Sequence, residues 1–525
     1  MLKENSFKKF LEEFVAKVSA KAKQVNKATW ILETTGSSDA ADLKADLDIE
    51  YRMFFHDANV YQQLLQWKDE KHDPILSRQL NILIRAFRQN QISKELLEKI
   101  AQKEAALSSS YGNFRAHMDG RSLSENDIRD ILKKEDHPES RKKAWEASKE
   151  IGEILAPQIL ELVHLRNQAA QALGYPDYFQ MQLDLQEVNP EWLTQILEEV
   201  AQKSDKAYGA ILQEIERRQA ERFKVSISEL GPWAWGEPFC QEDPLDAQGL
   251  DQLVEGIDIA LVSTQFYQKM GINVESILAK SDMLERPGKN QHAFCINIDR
   301  AGDVRTLNNV KPSIKWLETV LHELGHGVYE LGLGEQLPWL LREPPHMITT
   351  EAMALIAGRQ AYREDALAHL IGSSPEKEVL RKKANISLIR RQLIFSRWVL
   401  VMTAFEKELY RNPKQDLNGL WWHCVEKYQK IQSPKGREGK FDWAAKYHIG
   451  LAPVYYFSYL LGEMFASAIQ EVLPGPLYSC DSGKFLQEKL FRPGNSLAWD
   501  ELIKNVIGKV LDSEAWIKEF ANNEH

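Results

Sequence analysis

The stretch from Pro312 to Glu351, PSIKWLETVLHELGHGVYELGLGEQLPWLLREPPHMITTE, constrains this chain more than any other. Its centre, His322-Glu323-Leu324-Gly325-His326, is an HExxH motif. Residues four apart share a helical face, so on a helix both imidazoles reach one metal ion while Glu323 lies beside them. Ser313 is placed to cap that helix, and Ile314, Leu317, Val320, Leu321, Leu324 and Val328 form its apolar stripe. The spacing therefore predicts a helix over this stretch and a metal on its polar face.

The third ligand decides which kind of site this is. A histidine six residues beyond His326 is missing, because Gly332 stands there. Glu351 opens a second apolar-periodic segment (Ala352, Met353, Leu355, Ile356) after the turn at Pro344-Pro345. Glu330, Glu335 and Glu343 compete with it but lie in the same helix or the following loop. His322, His326 and Glu351 leave a fourth position for water, which is the arrangement of a catalytic zinc. One zinc ion is expected, with Glu323 as general base.

The remainder of the chain reads as a large helical protein. Of its 525 residues 43% are hydrophobic, enough for a sizeable core, and Gly (28) and Pro (20) are sparse. Little of the sequence alternates as strands do, so the fold class is mainly α. A net charge of −10 with both signs mixed argues against a nucleic-acid partner. Four scattered cysteines suggest neither a disulfide framework nor a cysteine-bound metal. The N-terminus lacks the apolar core of a signal peptide, and no apolar run matches a bilayer span, so a cytoplasmic protein without a membrane partner is expected. With no repeat or flexible linker, residues 1–525 read as one catalytic domain. Residues 1–110 would form a helical lid over an active-site mouth or ordinary surface helices, and 111–525 a core of two subdomains around a cleft.

Local patterns add detail. Phe7, Phe10, Leu11, Phe14, Val15 and Val18 keep helical spacing, and Gly36-Ser37-Ser38-Asp39 marks a break. Residues 120–220 read as further helices, including Trp145 to Leu162 with a kink or break at Pro157, and Leu250 to Met270 reads as another. Residues 292–308 form the exception. Phe294, Ile296 and Ile298 alternate, Asp299 to Asp303 turns the chain, and Val304 to Leu307 returns it as a β-hairpin. A sheet edge just ahead of the zinc helix is a place where an extended peptide could pair through its backbone. Near the C-terminus, FDWAAKYHIGLAPVYYFSYLLGE crowds one histidine, one lysine and several tyrosines onto an apolar segment. Peptide hydrolysis builds negative charge on a carbonyl oxygen, and His448 with Tyr455, Tyr456 and Tyr459 supplies candidate donors to it.

These blocks resemble the angiotensin-converting-enzyme-like peptidyl-dipeptidases A, gluzincin-type metallopeptidases. The resemblance runs from about Trp145 to Met464. It is carried by QHAFCINIDRAGDVRTLNNVKPSIKWLETVLHELGH, by LPWLLRE with TTEA, and by WWHCVEKYQ with FDWAAKYHI. It implies a helical ellipsoid with a deep central cleft, a small antiparallel β-hairpin near the zinc and a lid of N-terminal helices. It implies His322, His326 and Glu351 as ligands, Glu323 as base and His448 as a transition-state donor. His292 and Ala293 would hold an oligopeptide substrate, and Lys446 would grip its C-terminal carboxylate. Two tyrosine registers stay open. Counting from His448 makes Tyr455 the carboxylate-binding tyrosine, whereas aligning the YF pair makes Tyr456 the oxyanion donor, with Tyr459 beyond a gap.

Several positions depart from the family. Trp235 stands where it carries a carboxylate-binding glutamine, Thr350 where it has a histidine, and Leu355 where an aspartate orients a zinc-bound histidine. Its chloride sites use arginines at positions held here by Lys149, Val425 and a residue within Tyr455-Tyr456-Phe457, so only weak dependence on chloride is expected. The activity this implies is release of C-terminal dipeptides. A single-residue carboxypeptidase or oligopeptidase of a neighbouring HExxH family, or a non-catalytic peptide-binding relative, stays open from the sequence, as does the oligomeric state.

Overall fold

The computed structural model describes residues 2–245, 249–372 and 374–522. The chain is mainly helical, with two small two-stranded antiparallel sheets among the described residues. Helix α1 (Leu2–Thr35) ends at the anticipated break, and α2 (Ser38–Met53) starts from Ser37, whose side chain caps Ala40 N–H. The α1 stripe is buried as its spacing demands. Phe7, Leu11, Phe14 and Val18 join Trp67, Leu80, Leu83 and Phe87 in one apolar cluster. Each such side chain contributes roughly 1.5–3 kcal/mol on leaving water.

The chain divides into two compact units, each assembled from separated segments. The first comprises residues 1–91, 248–385 and 461–512, and the second 92–247, 386–460 and 513–525. In the first unit, β3 (Phe294–Asn297) pairs with β4 (Val304–Leu307) in the register Phe294 to Leu307 and Asn297 to Val304. This is the anticipated hairpin, and its turn carries Arg300 at φ 54°. Asn26 of α1 donates to the Asn297 and Ile298 carbonyls at 3.0 and 3.3 Å.

Three local expectations are corrected. Residues 120–220 carry the expected helices from Glu125 onward, but they are preceded by a hairpin that was not expected, in which β1 (Ala116–Met118) pairs with β2 (Arg121–Leu123) around Asp119-Gly120, both at positive φ. An Asp-Gly pair is a two-residue hairpin signal in its own right. The helix does not break at Pro157. The chain interrupts at Glu150, between helices Pro138–Lys149 and Ile151–Ala172, and Pro157 lies inside the second. Leu250 to Met270 is a short 3₁₀ turn (Leu250–Val254) and a helix from Ile259, separated at Gly256, whose φ is 71°. No helix among the described residues is long and apolar enough to cross a membrane.

Candidate active site

The HExxH helix spans Ile314–Leu331, with Ser313 capping Trp316 N–H at 3.2 Å. Its apolar stripe is buried, and Tyr267 Oη donates to the Leu321 carbonyl at 2.6 Å. Glu351 lies on the next helix, Met347–Arg359. Gly325, inside the motif, lets the two helices meet. A Cβ on it would sit 2.7 Å from Ala354 Cα and 3.0 Å from the Met353 carbonyl oxygen. The glycine of HELGH is therefore a packing requirement that brings the carboxylate to the imidazoles.

The three sequence-predicted ligands converge. His322 Nε2 and His326 Nε2 lie 3.8 and 4.0 Å from Glu351 Oε2, and the imidazoles are crossed at 84°. All three ligand atoms fall within 4.8 Å of one another. Donors that share one zinc at about 2.0–2.2 Å stand somewhat closer together than this, so a small inward rotation completes the set.

The electrostatics suit a dication. Burial pushes His322 down to about 4 and His326 well below its ordinary value, so both rings are neutral with lone pairs to offer. Burial raises Glu323 to about 8, helped by Glu351, and Glu351 to about 8, helped by Glu463. Two carboxyls held out of water beside two neutral imidazoles gain most from a nearby positive charge.

Supporting contacts were only partly readable from sequence. His326 Nδ1 lies 2.8 Å from Thr350 Oγ1, a contact that holds the ring with Nε2 towards Glu351. The sequence had registered Thr350 only as a departure. Arg359, from the Glu351 helix, donates through Nε to Glu463 Oε2 at 2.9 Å and through Nη1 to Ser467 Oγ at 3.0 Å. Gly462 lies against Glu351 Cβ. His292 and Ala293 sit immediately ahead of β3, with His292 exposed.

The other predicted site residues belong to the second unit and cluster there. Lys446 is buried among Phe239, Trp398 and Tyr456, whose ring centroids lie 5.0–5.6 Å from its Nζ. Burial pushes its amine down to about 8, opposed by Glu237. His448 packs edge-on against Tyr456 at 4.7 Å, and Tyr459 reaches both Tyr455 (5.0 Å) and Tyr456 (5.4 Å). Tyr456 is buried, whereas Tyr455 and Tyr459 are half-buried. The loop ahead of these tyrosines is held at Val454, a β-branched residue at φ 56°. Its N–H donates to Glu406 Oε1 at 3.1 Å, and its carbonyl accepts from Gln186 Nε2 at 3.3 Å.

Trp235 does not replace the glutamine beside Lys446. Gln241 Oε1 lies 3.2 Å from Lys446 Nζ, supplied from six residues further along, while Trp235 is buried and its carbonyl accepts from Arg141. The prolines and the left-handed Cys240 (φ 55°) make this segment irregular, so a register count across it fails.

A mainly helical fold with an HExxH helix and a glutamate ligand on the following helix is the class defined by gluzincin metallopeptidases. Residues 1–230 and 237–522 match the angiotensin-converting enzyme family, and the chain belongs to it. Rabbit (Oryctolagus cuniculus) angiotensin-converting enzyme is 25% identical over 282 residues, 49% of this chain and 21% of that relative. The chain thus aligns with about a fifth of that protein's length.

Proposed function

We propose that this protein is a zinc peptidase that removes dipeptides from the free C-termini of oligopeptides. The observation that carries the reading is the convergence of His322, His326 and Glu351 with Glu323 in the same motif. His322, His326 and Glu351 would hold the zinc, which supplies a polarised water and a Lewis acid for the scissile carbonyl. Glu323 takes the proton from the attacking water on a carboxylate oxygen and delivers it to the departing amine nitrogen as the C–N bond breaks. His448 N–H, with the hydroxyl of Tyr456, donates to the carbonyl oxygen as charge builds there. Lys446 holds the terminal carboxylate, Tyr455 and Tyr459 line the same aromatic wall, and His292 and Ala293 hold the peptide backbone.

The dipeptide length rests on the family resemblance. The buried ammonium beside Gln241 supports an anchor for a carboxylate, because a point charge in a water-poor pocket gains more from a counter-ion than one at the surface. Glu323→Gln tests the chemistry. It is expected to retain one zinc per chain and to lose about 10²–10⁴-fold in turnover. Near-wild-type hydrolysis by the zinc-loaded variant would overturn the mechanism.

A further inference from the structure

The loop that brings Gln241 to Lys446 is wrapped around a single buried carboxyl group. Glu237 has no solvent exposure and accepts three N–H groups from its own loop. Gln241 N–H reaches Oε1 at 2.6 Å, Phe239 N–H reaches Oε2 at 2.9 Å, and the Gln241 side-chain Nε2 reaches Oε2 at 3.3 Å. Cys240, between those donors, is held left-handed, a conformation that costs a non-glycine residue free energy and needs such anchoring. From the other side, Gln429 Nε2 clamps the Phe239 and Cys240 carbonyls at 3.1 and 2.8 Å.

The chemistry of the partners fixes how the Gln241 amide is turned. An ammonium only donates, and a carboxylate oxygen only accepts. Glu237 therefore takes the Nε2 end of Gln241, and Lys446 takes the Oε1 end. The reverse orientation would set two donors against each other at Lys446 and two acceptors against each other at Glu237. With one ammonium N–H committed to Gln241, Lys446 keeps two for an incoming carboxylate.

We propose that Glu237 is a positioning residue for substrate specificity, holding Gln241 so that Lys446 is aimed at the terminal carboxylate of the peptide. This deepens the carboxypeptidase reading above and rests on it. Glu237 also acts electrostatically on the Lys446 amine, while burial raises the Glu237 carboxyl above its ordinary range. Glu242, Glu125 and Arg129 are the other charged groups acting on the same amine. Without Glu237 the Gln241 amide is free to turn its Nε2 towards Lys446, and the left-handed loop keeps only the Gln429 clamp of the anchors named above. The residue acts through Gln241 and Lys446 and touches no reacting atom.

The test compares a free-acid peptide with its C-terminal amide in the wild type, Glu237→Ala, Glu237→Gln and Gln241→Leu, with zinc content and melting temperature measured on each. The ratio of kcat/KM for acid over amide is expected to fall about tenfold in Glu237→Ala and in Gln241→Leu, carried by KM on the acid. Glu237→Gln, which keeps one acceptor oxygen for the loop, should recover part of the ratio and serves where the alanine variant does not fold. A wild type that discriminates by carboxylate while both Glu237 variants keep that ratio would overturn the role of Glu237 alone. A wild type that cleaves acid and amide equally would overturn the carboxylate anchor, and Glu237's role with it.

Discussion

The metal cluster of the first unit and the aromatic pocket of the second are built in opposite ways. In the first, every ligand sits on a regular helix, and the helices approach through Gly325 and Gly462. In the second, Lys446, Tyr455 and Tyr456 lie in the connections around the short helix Tyr447–Leu451 that carries His448. Tyr459 sits in the first turn of helix Phe457–Val472, and Cys240 and Val454 are held left-handed. Helix periodicity constrains the former, whereas buried polar side chains (Glu237, Gln429, Glu406) constrain the latter. The difference teaches that a ligand set can be carried on the rigid spacing of helices, while a buried ammonium among aromatic rings is placed by loop anchors.

The first way to break this contrast is at the helix contact. Gly325→Val forces a branched side chain into a gap already closed at 2.7 Å by Ala354. Zinc binding is expected to collapse, with a stability loss of at least about 1–3 kcal/mol, read from zinc content and denaturant unfolding. A folded, zinc-replete variant would show that the helices adapt and that the spacing is not rigid.

Thr350→Val is the next largest. It removes the oxygen 2.8 Å from His326 Nδ1 while keeping the side-chain volume. Zinc affinity should weaken about 10–100-fold in a chelator competition, and Thr350→Ser should restore most of it. Unchanged affinity would mean that helix packing alone orients His326.

What the sequence made legible follows the same division. The HExxH spacing, the Ser313 cap, Glu351 and the β3–β4 hairpin all follow from period 3.6 or period 2, and all stand where expected. The contact of Gln241 with Lys446 gave no signal because its loop has no period to count along. Asp119-Gly120 was a readable turn signal obscured by helical neighbours. Glu237 and Glu406 gave no signal, since an anchoring glutamate in sequence looks like any surface glutamate. Thr350 was visible as a difference, but its contact with His326 arises only once the two helices pack.

A pH titration sharpens the pocket side of the comparison. Lys446 is protonated below about 8 and loses its charge as pH rises through that value. The preference for a free-acid peptide over its amide should therefore decline above about pH 8, several-fold within one or two units. A preference that persists unchanged to pH 10 would place the anchoring charge elsewhere.

The smallest effect expected is that of chloride. Lys149 is buried with its ammonium 3.5 Å above the Phe239 ring, and Asp442 acts on the same amine. The cavity beside it has a volume of about 20 Å³ and is lined by the apolar Val425, while Arg437, which also acts on the Lys149 amine, is already paired with Asp442. Peptide hydrolysis should change by no more than about twofold across a chloride titration at constant ionic strength. Strong activation would show that this pocket still recruits an anion.

Mass spectrometry of the first products from a decapeptide with a free C-terminus, digested by the zinc-loaded wild type, tests the central claim most directly. The account predicts an octapeptide and the C-terminal dipeptide as the earliest pair, with none from the amidated decapeptide at matched time. A nonapeptide with a single amino acid, or equal cleavage of acid and amide, would contradict it.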